Sequence, residues 1–328
     1  MIIDVHAHPI LEVWREAARA ASGGDGPLIK DGMVMPDWSP ALAVEVMDAN
    51  GIDAMVLSAP SGSQLAGPEG SAALARAMND ELAEVLAADP KRFGAFAVLP
   101  LYDVDEALEE TRYALDELGF DGVGLLTSPG GVYLGDPKFE PLFAELDRRK
   151  AVAFVHPDTP VFNDAIGVPF SSSILEFMFE TTRAVASLIY SGVRERYPNF
   201  DYIAAHGGGT VPFLAQRLGL VTRVMPTGYG QDLTPDDVAR LLRTFHFDVT
   251  AATTQTALTG LLEMTSTDRL LTGFDFPYMP SPTIAPAQRA LETSPLLDDA
   301  ARRKIHSTNA LALLPRLAER LGVAEQAA

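Results

Sequence analysis

The chain contains no cysteine in 328 residues. That excludes disulfides, thiolate metal ligands and thiol nucleophiles, and it accords with a cytoplasmic protein. No run of 18 or more apolar residues occurs, so a membrane span is not expected. The N-terminus has no basic region followed by an apolar one, and no secretory leader is expected. Positive charge is scarce: 25 Lys and Arg stand against 44 Asp and Glu, a net charge of −19. This disfavours nucleic acid and anionic membranes as partners. An anionic substrate would need local positive charge, from a metal or from particular Arg side chains. Neither GK[ST] nor GxGxxG occurs, so no phosphate loop is present. Low-complexity linkers and strong internal repeats are also lacking, and a single domain over 1–328 is expected.

What the chain does have is alternation. Short apolar, β-branched segments occur near Ile2–His6, Ala54–Ser58, Phe93–Leu99, Gly122–Leu126, Val152–His156, Tyr202–His206, Phe247–Thr250 and Leu270–Phe274. Helical patterns separate them; after the fourth segment, Phe139, Leu142, Phe143 and Leu146 recur at three- and four-residue spacing. Eight strands, each followed by a helix, predict an α/β fold, the parallel (β/α)8 TIM barrel, with a final outer helix near Asp298–Leu321. Two long connections, Ser22–Trp38 and Asp158–Ser173, fall on the same face of such a barrel and are candidate lids.

Histidine is rare, but its placement is not random. His6 and His8 close the first strand in MIIDVHAH, two residues apart and so on one face. His156 ends the fifth strand, His206 the sixth, and Asp275 the eighth. Barrel chemistry sits at these carboxyl ends. Alone, His156 reads equally well as a core histidine, and Asp275 as a turn residue before Pro277. Together, four of six histidines and one carboxylate on one rim point to a divalent metal site. His246 and His306 lie elsewhere and read as structural. Gly207-Gly208-Gly209 after His206 offers close backbone approach to a ligand.

This ordered set resembles the amidohydrolase superfamily, the metal-dependent hydrolase type of barrel. The stretches HGGGTVPFLAQR, GFDFPY and IHSTNALALL resemble its aminocarboxymuconate-semialdehyde decarboxylase family. Within that family, EFMFETTRAVASLIYSG and DGVGLLTSPGGVYLGDPKFEPLFAEL are similar to 6-methylsalicylate decarboxylase-like sequences. The resemblance implies that His6, His8, His156 and Asp275 hold one divalent ion; three His and one Asp suit zinc, with manganese or another first-row ion as the alternative. It implies an acid/base or water-orienting role for His206. It also implies a homodimer or higher oligomer in which Arg217 reaches a substrate carboxylate, often that of the partner subunit.

There are departures. The fourth strand ends Gly124-Leu125-Leu126-Thr127 without the lysine that bridges two metals elsewhere in the superfamily, which favours a single ion. Gly209 stands where related decarboxylases carry Glu, and Asp37–Gly51 contains no Arg. The expectation is non-oxidative decarboxylation of a small hydroxylated aromatic or unsaturated carboxylic acid. Asp275 is the proton donor in that reading, and Phe276 and Tyr278 (with Phe274) wall the ring. The alternative is a mononuclear hydrolase of an amide, lactone or C–C bond, or a hydratase, with His206 as base toward a metal-activated water. A non-catalytic barrel would show gaps in the ligand set, and none is found.

Overall fold

Residues 1–23, 26–59 and 62–323 are described by the structure, a computed structural model. The expected domain 1–328 thus includes residues outside that set, 24–25, 60–61 and 324–328, and the expected loop Ser22–Trp38 includes 24–25.

Eight parallel strands form one sheet in chain order: β1 (Ile3–Ala7), β2 (Ala54–Ser58), β3 (Phe93–Val98), β4 (Gly122–Leu126), β5 (Val152–His156), β6 (Asp201–Ala204), β7 (His246–Asp248) and β8 (Leu270–Leu271). All residues of β2, β3 and β4 are buried. This is why they read as continuous apolar runs: a parallel strand is covered on both faces. The barrel closes just past β8. Thr272 O accepts from Val5 N at 3.0 Å, His6 O from Asp275 N at 2.7 Å, and Phe276 O from His8 N at 2.7 Å. Closure therefore aligns the backbone of Asp275 directly with that of His6 and His8. Gly273 makes this possible, since a Cβ there would stand 2.8 Å from the Cβ of His6 and 2.5 Å from Oγ1 of Thr250.

The helices follow local chemistry. Pro40–Asn50 starts with Ser39 accepting from Leu42 N at 3.1 Å, carries Pro in its first turn, and ends at left-handed Gly51. The connection from β1 to β2 holds the helix Glu12–Ser22 and, inside the expected loop Ser22–Trp38, a hairpin pairing Ile29–Lys30 with Met33–Val34. Its two turn residues, Asp31 and Gly32, both have positive φ (50° and 78°), the backbone that an Asp-Gly hairpin turn requires.

The C-terminal region is not one continuous helix. It breaks at Leu314, before Pro315, and Pro315–Leu321 follows. Arg316 donates to Leu115 O and Phe120 O, and Arg320 to Pro90 O and Asp121. The last helix thus fastens to the segments that lead into β3 and β4, at the end of the barrel opposite His6 and His8. Among the described residues no helix is long and apolar enough to cross a membrane.

Candidate active site and metal centre

The ligand atoms of His6, His8, His156 and Asp275 lie within 4.8 Å of one another. Each imidazole is oriented from behind. His6 Nδ1–H donates to Asp248 at 3.0 Å, His8 Nδ1–H to Ser58 O at 2.7 Å, and His156 Nδ1–H to Pro157 O at 2.7 Å. Those bonds fix the tautomers and leave three Nε2 lone pairs facing one point. His6 Nε2 and His8 Nε2 are 3.1 Å apart. Two lone pairs at that distance repel unless a cation lies between them. Nitrogens bound about 2.0–2.1 Å from one divalent ion stand roughly 3.0–3.4 Å apart. His156 Nε2 and Asp275 Oδ1 are buried without a hydrogen-bond partner, which fits ligation of the same ion. The donor set suits one divalent ion.

Asp275 faces two ways. Its Oδ1 stands 3.1 Å from His8 Nε2 and 3.6 Å from His6 Nε2, while its Oδ2 stands 3.7 Å from His206 Nε2. Burial would raise this carboxyl, but His6, His206 and His8 hold it well below the usual carboxylate range. Burial likewise lowers His6, and it pushes His156, crowded by other imidazoles, well down, so both keep the neutral, ligating form. Burial opposes a proton on His206, yet Asp275, helped by Asp248, keeps it above its ordinary value. The backbone at His206 and Asp275 is left-handed, with φ of 56° and 60°. Two non-glycine residues in this region cost on the order of 1–3 kcal/mol each, an expense typical of functional positions.

Asp248, at the end of β7, was not singled out from the sequence. Its Oδ1 accepts from His206 N at 3.1 Å and Thr250 N at 2.9 Å, while Oδ2 accepts from His6 Nδ1–H. Although buried, it is held below the ordinary carboxylate range by His6. One carboxylate thus positions both His6 and His206. The available signal was an acidic residue inside the apolar stretch FHFDVT, at a strand's carboxyl end. Asp4 is a second omission: fully buried, its Oδ1 accepts from His6 N at 2.9 Å and Phe274 N at 3.2 Å.

A cavity of about 300 Å³ opens on the cluster, lined by His8, His156, His206 and Asp275. Phe177 stands edge-on to His156, ring centroids 6.0 Å apart, and Tyr278 lies 5.2 Å from His8. Tyr278 lines the cavity. Phe276 does not: it and Phe274 are buried in the apolar core. The left-handed turn at Asp275 sends that carboxylate to the cavity and its aromatic neighbours into packing. The triple glycine is also corrected. Residues 207–209 do not line the cavity; a Cβ at Gly209 would stand 2.1 Å from Met178 O, so glycine here serves close backbone packing. Both candidate lids do reach the mouth, through Lys30, Asp31 and Met33 on one side and Asp158, Ser171 and Ser173 on the other. Lys30 pairs with Asp158 at 3.1 Å, and Asp31 accepts from Ser171, from Ser172 and from the backbone of Ser173. Arg217 is exposed on the helix Val211–Leu220 and does not line the cavity of its own chain. His246 and His306 are buried away from the cluster, His246 beside Arg269 and His306 beside Thr272 and Glu292.

The amidohydrolase family model matches residues 3–316. A 6-methylsalicylic acid decarboxylase of Aspergillus aculeatus is 36% identical over 328 residues, covering 97% of this chain and 97% of that protein. One of Penicillium expansum is 34% identical, with 96% of each chain covered. The crystal structure of a 2,6-dihydroxybenzoate decarboxylase complexed with 2,6-dihydroxybenzoate superposes with a TM-score of 0.77 at 26% identity, over 96% of this chain and 98% of that one. The ordered histidines, the barrel they close and a match along almost the whole length agree: the chain belongs to the amidohydrolase family.

Proposed function

We propose that the protein is a metal-dependent, non-oxidative decarboxylase of a small ortho-hydroxylated aromatic carboxylic acid. The observation that carries this reading is the divided carboxylate of Asp275, with one oxygen among the ligating nitrogens and the other toward His206. Its relatives in the family, the two 6-methylsalicylic acid decarboxylases, support the substrate class.

A divalent ion held by His6, His8, His156 and Asp275 would supply Lewis acidity and orientation for the acid. Zinc is the first expectation from three imidazoles and one carboxylate, and manganese the second. The remaining work falls to the chain. Phe177 and Tyr278 flank the ring. The proton held on His206 Nε2 passes to Asp275 Oδ2, which delivers it to the ring carbon that bears the carboxylate. The bond from that carbon to the carboxylate then breaks, its electron pair restores the aromatic ring, and CO₂ leaves. His206 Nε2 then takes up a proton from solvent, which restores the resting state.

The test is the product. Metal-loaded protein given 6-methylsalicylate should release CO₂ and the corresponding phenol in equal amounts. Water-derived ¹⁸O in the product without CO₂ would replace this reading with hydrolysis.

The oligomer belongs to the same proposal. Phe213 is 90% exposed, and Val224, Met225 and Leu220 are 75%, 64% and 52% exposed on the same helix and the turn after it. An apolar surface of this kind marks an interface, and Arg217 lies within it. The protein should therefore sediment as at least a dimer, and Phe213→Asp should shift it toward monomer. In the intact oligomer Arg217→Ala should raise KM for the acid about tenfold, the worth of one charge-assisted hydrogen bond. An unchanged KM would remove Arg217 from the site.

A further inference from the structure

Among the described residues, Met33, Met35, Met78, Met178 and Met279 line the cavity above the cluster, five of the chain's ten methionines. Composition alone would place roughly one methionine in a lining of 25 residues. They come from four separate parts of the chain: the hairpin, the helix Gly67–Ala88, the helix Glu176–Tyr190 and the turn after β8. Trp14 and Ile10 complete the apolar wall. The polar side chains of the lining are already engaged. Lys30 pairs with Asp158, Asp31 holds the three serine groups, and Thr250 Oγ1 stands 3.2 Å from His6 Nδ1. Among the described residues, beyond the ligand cluster and His206, the Tyr278 hydroxyl and the Trp14 indole N–H are what the side chains of this wall offer a substrate as hydrogen-bond partners.

We infer that the cavity selects ring acids with an apolar substituent beside the carboxylate and admits alkyl groups larger than methyl, in preference to a second hydroxyl. This rests on the decarboxylase reading and narrows it. A ring hydroxyl pressed against thioethers gives up its hydrogen bonds to water and keeps only the internal one to the neighbouring carboxylate, at a cost of about tenfold or more in binding. An alkyl group gains by the same burial. Methionine is unbranched, with three rotatable bonds and a polarizable sulfur, so a wall of methionines re-packs around groups of different length.

The experiment compares 6-methylsalicylate, 6-propylsalicylate and 2,6-dihydroxybenzoate as substrates of the full-length, metal-loaded protein. In parallel, calorimetry measures binding of 3-propyl-2-nitrophenol and 2-nitroresorcinol, in which a nitro group replaces the reactive carboxylate. The two alkyl acids should have kcat/KM within about threefold of each other and about tenfold or more above the dihydroxy acid. The nitro compounds should bind in the same order. Met33→Gln, at a rim position 40% exposed, should narrow the propyl-to-dihydroxy ratio at least threefold in both measurements. A dihydroxy acid equal to or better than the alkyl acids would overturn the inference. So would a tenfold loss from methyl to propyl, or ratios untouched by Met33→Gln. If no acid releases CO₂ while the nitro compounds bind in the stated order, the decarboxylase reading fails and the selectivity of the cavity stands.

Discussion

Asp275→Asn should lower decarboxylation by about a thousandfold, the scale of a positioned general acid, and leave the fold intact. The substitution keeps the shape of the side chain and an oxygen where Oδ1 faces His6 and His8. It removes the ability to carry a proton at Oδ2, 3.7 Å from His206 Nε2. Binding of a nitro analogue should weaken by no more than about tenfold, because ring contacts from Phe177 and Tyr278 remain. Metal content is measured alongside, so that loss of the ion and loss of the proton are told apart. His206→Gln should cost less, since Asp275 could then be reprotonated by water. A metal-replete Asp275→Asn protein that kept a tenth of the wild-type rate would strip Asp275 of the proton-donor role.

Much of this site was legible because its rules are local. Period-two alternation puts His6 and His8 on one face, and the barrel rule sends the ends of β5, β6 and β8 to the same rim. His156, His206 and Asp275 then follow from finding the strands. The parts not read depend on contacts that no local pattern encodes. Asp248 matters because it meets His6, 242 residues away, and in sequence it is only an acidic residue in a short strand. Phe276 has the composition of a cavity wall, but the φ of 60° at Asp275 turns it inward. The Gly207–Gly209 run suggested a ligand cradle, yet its neighbours are Ala252, Phe247 and the Met178 carbonyl. The hairpin was readable from Asp31-Gly32, but its strands of two residues give no periodicity to detect.

Removing the metal should have the broadest effect. A chelator followed by dialysis should abolish turnover and lower Tm by about 5–10 °C, the equivalent of several kcal/mol of ligand stabilisation in a chain of this size. The physical source is visible in the cluster: without a cation, His6 Nε2 and His8 Nε2 face each other as two acceptors at 3.1 Å, and His156 Nε2 and Asp275 Oδ1 stay buried and unpaired. Such groups stabilise the fold only when a positive charge satisfies them. Reloading separately with Zn²⁺ and Mn²⁺ should restore both Tm and activity, and the ion giving the higher kcat at equal occupancy is the working one. Asp248→Asn supplies the matching test of the support behind the site. It weakens the acceptor that orients His6 Nδ1–H, so the variant should bind the ion about 10–100-fold more weakly, the usual cost of losing such a partner. Because Asp248 also accepts from His206 N, the metal-saturated variant should still show a reduced kcat. A chelated protein with full activity and an unchanged Tm would mean that these four side chains hold no ion, and the decarboxylation chemistry proposed for them would have no basis.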